Sequence, residues 1–75
     1  MEKKLTSIFV SVFGIKESIV NHELKIGDIP NWDSLGHLNI ITAVEEEFDI
    51  YFTNDEMIEL KSYQDFFDLI TTKLN

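Results

Sequence analysis

Asp33 and Ser34 stand directly before an apolar, helix-spaced run in "NWDSLGHLNI", residues 31–40. An aspartate there is a natural helix N-cap, its carboxylate accepting from the first free backbone N–H groups. The serine that follows places a hydroxyl beside those donors, at the positive end of the helix dipole. A phosphate ester formed on it is electrostatically favoured. Asp33 can also help position the metal of a phosphate donor, since Mg²⁺ takes carboxylate oxygens. The bland alternative is that Ser34 merely starts a helix, as serine often does. His37 follows three residues later and can reach Ser34, but no third group or oxyanion apparatus accompanies the pair, so catalysis is not expected. His22 and His37 have no histidine partner three or four residues away, which argues against zinc. No Asp-x-Asp-x-Asp-Gly calcium loop is present. Glu45–Glu46–Glu47 reads as a solvated face that gathers divalent cations only loosely.

The helix that carries Ser34 is expected from about Ser34 to Phe48. With Ser34 at 0° and about 100° per residue, Ile40, Ile41, Val44 and Phe48 fall between about 240° and 340°, a single core stripe. His37 falls at its N-terminal end, as a partly buried residue bonded near the helix start. Leu35, Leu38 and Thr42 fall on the opposite side, at about 40–100°, with Glu45 and Glu46 on that outer side too. Scattered exposed leucines are ordinary. Two of them beside a modifiable hydroxyl, with acids further along, also describe a docking patch with an apolar centre and a charged rim.

The elements that must hold this helix are legible in outline. Leu5, Ile8, Phe9, Val12 and Phe13 repeat at helical spacing and predict a first helix ending near Gly14. Residues 15–33 form a long first loop. Its Ile19, Val20, Leu24, Ile26 and Ile29 are expected to pack down on the core, because a structureless loop of that length is unusual. Thr53-x-x-Glu56 is a capping-box pattern for a short third helix through about Leu60. Ser62-x-x-Asp65 opens a fourth, along which Tyr63, Phe66, Phe67, Ile70 and Leu74 repeat. "FDIYF" alternates like a strand but has nothing to pair with, and reads as extended loop. The expectation is a single all-α domain over residues 1–75, a four-helix bundle with a short third helix.

Composition narrows the function. The chain has 75 residues, 44% of them hydrophobic, three glycines and one proline. That favours a small helical domain over a disordered chain or a many-stranded fold. Cysteine is absent, so disulfides and thiolate metal sites are excluded, which suits a reducing cytoplasm. "MEKKLTSIFVSVFGI" resembles a signal peptide only superficially, since polar residues dilute its apolar run and no small-x-small site follows. No segment approaches transmembrane length. The net charge of −8 disfavours nucleic acid and anionic membranes, and favours a partner with a basic patch. Residues 1–37 carry five acids against four lysines, and residues 38–75 nine against two, so such a partner should read the second half.

"WDSLGHLNIITAVEEEFDI" resembles the acyl and peptidyl carrier proteins, and the likeness spans the chain in size, acidity, long first loop, short third helix and apolar fourth helix. In that family an Asp-Ser-Leu motif opens the second of four helices and its serine carries 4′-phosphopantetheine. The resemblance implies that Ser34 is the attachment site, with Asp33 and Leu35 completing the motif. Leu35, Leu38, Thr42, Glu45 and Glu46 fall where the family meets its partners. It further implies modification by a phosphopantetheinyl transferase, partner enzymes with basic docking patches, and a non-catalytic, monomeric carrier of acyl thioesters. Gly36, His37 and Asn39 stand where carriers of the fatty-acid type usually have acids. That points to a specialised pathway or to peptidyl (aminoacyl) carriage. The competing class is an acidic helical adaptor whose Ser34 is never modified.

Overall fold

The computed structural model describes residues 1–74. It contains α1 (Glu2–Phe13), α2 (Ser34–Phe48), α3 (Asn54–Glu59) and α4 (Tyr63–Leu74), with a 3₁₀ turn at Glu17–Ile19 in the long first loop. Among the described residues there is no strand, only an isolated antiparallel bridge between Lys25 and Ser62. The all-α expectation holds, and so does the extended path after α2.

Local chemistry sets the helix ends. α1 stops at Gly14, which takes a left-handed conformation (φ 64°) and donates its N–H to the Val10 carbonyl. A Cβ would be strained there, so glycine is the residue for the position. Asp33 caps α2, its carboxylate accepting from the Gly36 N–H at 2.9 Å. Thr53 and Glu56 form both bonds of the capping box at the start of α3. At α4 the Asp65 N–H donates to the Ser62 hydroxyl. The Asp65 carboxylate reaches past the cap to accept from the Lys61 N–H.

The core is aromatic. Phe9 of α1 lies at its centre, with Phe13, Trp32, Tyr63 and Phe66 edge-on around it at centroid distances of 5.1–5.7 Å. Edge-to-face contacts of this kind add to what area burial already gives. Leu5 of α1, Ile40, Ile41 and Val44 of α2, and Ile70 of α4 complete the bundle interior, with Leu24, Phe52 and Leu60 supplied by the connections. The Tyr63 hydroxyl meets Thr6 Oγ1 at 2.9 Å and donates to the Glu2 carbonyl, so this buried ring leaves no polar atom stranded. Burial pushes its phenol up from the ordinary value.

Several expectations need correction. The core stripe of α2 is fully buried only as far as Val44; Phe48 at its end packs against the core but is half-buried, with the Lys4 ammonium 5.7 Å from its ring. In the long loop Leu24 is buried and Val20 and Ile29 half-buried, but Ile19 and Ile26 are exposed. The loop is held by main-chain bonds to the segment leading into α4, Tyr63 N–H to the Leu24 carbonyl and Ile26 N–H to the Lys61 carbonyl. Its apolar side chains are therefore not all needed to hold it. Leu74 is also exposed, at the C-terminal end of α4.

Candidate functional site

The candidate site is the start of α2. Asp33 does the capping with its side chain, and its carbonyl accepts the His37 N–H at 2.8 Å. The cap leaves the Ser34 hydroxyl unneeded by the fold, and Ser34 is exposed on the first turn of a fifteen-residue helix. An exposed hydroxyl at the positive end of a helix of that length fits a phosphate ester. On this observation the residues present suit 4′-phosphopantetheine.

Two seams flank the serine. Toward α1, the Asn31 side-chain amide donates to the Phe13 carbonyl at 3.0 Å. Gly36 is pressed so closely on the Asn31 backbone that a Cβ would lie 1.8 Å from its carbonyl oxygen and 3.2 Å from the Phe13 ring. Toward α3, the Trp32 indole Nε1–H donates to His37 Nδ1 at 3.1 Å. Indole nitrogen is only ever a donor, so Nδ1 is the acceptor and the neutral ring carries its proton on Nε2. That nitrogen faces the Met57 carbonyl at 3.3 Å. His37 is thus turned inward and committed at both nitrogens. It is not paired with Ser34, and the contact allowed by their spacing is not made.

The outer face of α2 carries Leu35 and Leu38, 68% and 58% exposed, with Thr42 and Glu46 exposed along it. Glu45 departs from the expected placement. It is half-buried, and its carboxylate turns back to accept the Phe52 N–H at 2.9 Å. On the wheel it stands at about 20°, beside the core stripe, which is why it can cap the incoming chain. Glu47 leans the other way, to Lys4 at 3.5 Å. At the far end of the helix Thr42, Glu45, Glu46, Asp49 and Tyr51 line an open cleft.

Sequence reasoning assigned no role to Trp32, Tyr51 or Ile58, and noted Gly36 only as a departure from fatty-acid carriers, without its packing role. Trp32, two residues before Ser34, is 1% exposed and forms the floor under the site. Tyr51 and Ile58 are 83% and 71% exposed, further large side chains outside the core. A tryptophan directly ahead of a cap residue was the available signal for the first. Nothing in the spacing of so short a helix as α3 singles out Ile58.

An acyl carrier protein of Buchnera aphidicola subsp. Baizongia pistaciae is 41% identical over 71 residues, spanning 93% of this chain and 90% of that protein. The chain belongs to the acyl carrier protein family. A second acyl carrier protein, from Buchnera aphidicola subsp. Schizaphis graminum, is 35% identical over 97% of the chain and 92% of its own length. One from Syntrophobacter fumaroxidans is 26% identical over 93% and 86%. No family model matches the chain. As an acyl carrier family member, the chain is built on helices none of which, among the described residues, is long and apolar enough to cross a membrane.

Proposed function

We propose that the chain is a carrier of acyl groups and not an enzyme, with Ser34 as its attachment site. The observation that carries this reading is the exposed Ser34 hydroxyl on the first turn of α2, beside a cap that Asp33 completes without it. A separate phosphopantetheinyl transferase supplies the modification. The Ser34 oxygen bonds to the phosphorus of the phosphopantetheine half of coenzyme A, the phosphoanhydride bond breaks, and adenosine 3′,5′-bisphosphate leaves. The hydroxyl proton passes to a base on the transferase. When bound, the group supplies a terminal thiol that holds acyl groups as thioesters.

The chain's own residues present the serine and attract partners. Leu35 and Leu38 offer an apolar centre beside it, with Thr42 and Glu46 further along and Glu45 at the border. A net charge of −8 steers enzymes with basic patches toward this surface. Gly36 and His37, where fatty-acid carriers usually have acids, are here given over to packing and to the Trp32 bond. The negative rim therefore starts only beyond Thr42, which favours a discrete carrier of a specialised pathway over housekeeping fatty-acid synthesis.

The test is incubation with coenzyme A, Mg²⁺ and a broad-specificity phosphopantetheinyl transferase, read by intact mass. The wild type should gain one phosphopantetheine and Ser34→Ala none. The variant's helical circular dichroism should stay unchanged, because Asp33 still caps. Mass gain on Ser34→Ala would overturn the site. An unmodified wild type would favour the unmodified acidic adaptor.

A further inference from the structure

Asp33 and Leu35, the residues on either side of Ser34, line an open cleft between the end of α1 and the start of α2, together with Val12, Phe13, Asn31 and Asn39. Its charge sets it apart from two other clefts on the chain. It holds a single charged side chain, Asp33, whose carboxylate is already drawn to the Gly36 N–H. The cleft at the far end of α2 holds Glu45, Glu46 and Asp49, and one between α3 and α4 holds Glu56, Glu59, Asp65 and Asp68. The remaining polar groups beside Ser34 are amides. Asn31 gives its amide N–H to the Phe13 carbonyl, which fixes the side chain and leaves its Oδ1 as an acceptor. Asn39 is exposed and brings both a donor and an acceptor. Val12, half-buried, and Leu35, exposed, add apolar surface.

We infer that this cleft seats the pantetheine arm borne by Ser34, with Val12 and Leu35 holding its geminal methyl groups and Asn31 and Asn39 bonding its hydroxyl and amides. This rests on the carrier reading above and concerns the arm alone, whatever its thiol carries. Beyond the phosphate the arm is uncharged, a branched apolar centre followed by two amides. A neutral cleft with apolar and amide parts takes such a chain without burying an unpaired charge. Either acidic cleft sets carboxylates against the phosphodiester that begins the arm. Asn39 stands about 7.5 Å further along the helix axis than Ser34, well within the arm's reach.

The experiment converts the full isotope-labelled chain to the pantetheine form with coenzyme A and a transferase, checks loading by intact mass and keeps the thiol reduced. Isotope-filtered NMR then records nuclear Overhauser effects from the unlabelled arm. The geminal methyls should show them to Val12 and Leu35, and the side-chain amide signals of Asn31 and Asn39 should shift from their positions in the unmodified chain. In Asn39→Asp, which puts a carboxylate into the neutral cleft, the effects to Val12 should fall by half or more. Those within the core, such as Phe9 to Phe66, should stay. Contacts from the arm to Met57 or Ile58 of α3 instead, or to nothing beyond residues 33–35, would overturn the inference and leave the carrier reading intact. Undiminished contacts in Asn39→Asp would overturn the role given to Asn39. No mass gain on the wild type would overturn the carrier reading and this inference with it.

Discussion

The two histidines do opposite work. His37 meets one donor and one acceptor, the Trp32 indole and the Met57 carbonyl, and that pairing suits a neutral ring. His22 meets two acceptors. Its Nε2 faces the Glu2 carboxylate at 2.5 Å and its Nδ1 faces the Gln64 side-chain oxygen. The Gln64 amide nitrogen is already committed to Asp68, which fixes which way the amide points. A ring between two acceptors must donate twice, so His22 is satisfied only as the cation. The Glu2 carboxylate, with Gln64 and Asp68 beside it, holds its pKa above the ordinary 6.5. The same side chain is thus part of the packed floor beneath Ser34 at one place. At the other it is an exposed electrostatic tie between α1, the long loop and α4. Burial separates them, since the first bonds are partly buried against the Trp32 ring and the second lie exposed to water.

The largest break in that comparison should come at the floor. Trp32→Ala should cost roughly 3–5 kcal/mol by urea unfolding, through a large cavity and an unfilled His37 acceptor. His22→Ala, by contrast, should move the urea midpoint little. If the two variants prove equally damaging, the distinction between packed and exposed histidine fails.

Gly36→Ala sharpens the same contrast from the other seam. Helix propensity alone favours alanine by about 1 kcal/mol. The added Cβ would sit 1.8 Å from a backbone oxygen that cannot rotate away. The net effect should be a loss of roughly 1–3 kcal/mol, as overpacking gives. A stabilised Gly36→Ala would show that the seam toward α1 is loose.

The His22 tie predicts a pH dependence with a definite sign. A group whose folded pKa is raised lends its stability in full below its unfolded value and loses it as pH climbs through the raised value. The difference in melting temperature between wild type and His22→Gln should be greatest just below about pH 6.5, while Glu2 is still ionised, and should fade above it. Added salt should shrink the difference, as screening weakens exposed pairs. A difference that grows with pH would reverse the assignment of charge.

The smallest effect on stability is expected on the outer face. Leu38→Ala should fall within about 0.5 kcal/mol of wild type. On the proposed function it should nonetheless slow modification of Ser34, because it strips the apolar centre from the proposed docking surface. Wild-type loading rates in Leu38→Ala would place partner recognition elsewhere, with the exposed Ile58 and Tyr51 the next positions to vary.

Much of this molecule is settled by short-range pattern. The 3.6-residue repeat of Leu5, Phe9 and Phe13 fixes α1, and Gly14 ends it. Asp33 and the Thr53–Glu56 box mark two helix starts. The wheel of α2 puts Ile40, Ile41 and Val44 inward and Leu35 and Leu38 outward. All of these depend on neighbours within about one turn, so the sequence by itself determines them, and with them the exposed position of Ser34. What the tertiary structure alone decided are contacts between residues distant in the chain. Glu45 stands at the border of the core stripe by its angle, and the Phe52 N–H that the returning chain delivers decides that its carboxylate turns inward. Ile19 and Ile26 look like core residues but are left outside, because main-chain bonds to the lead-in of α4 already anchor their loop. Trp32 reads as a loop residue and becomes the floor of the site, since only the assembled bundle brings Phe9, Phe13 and His37 around it. A side chain's periodicity says which way it points, and the distant group that meets it there says what it does.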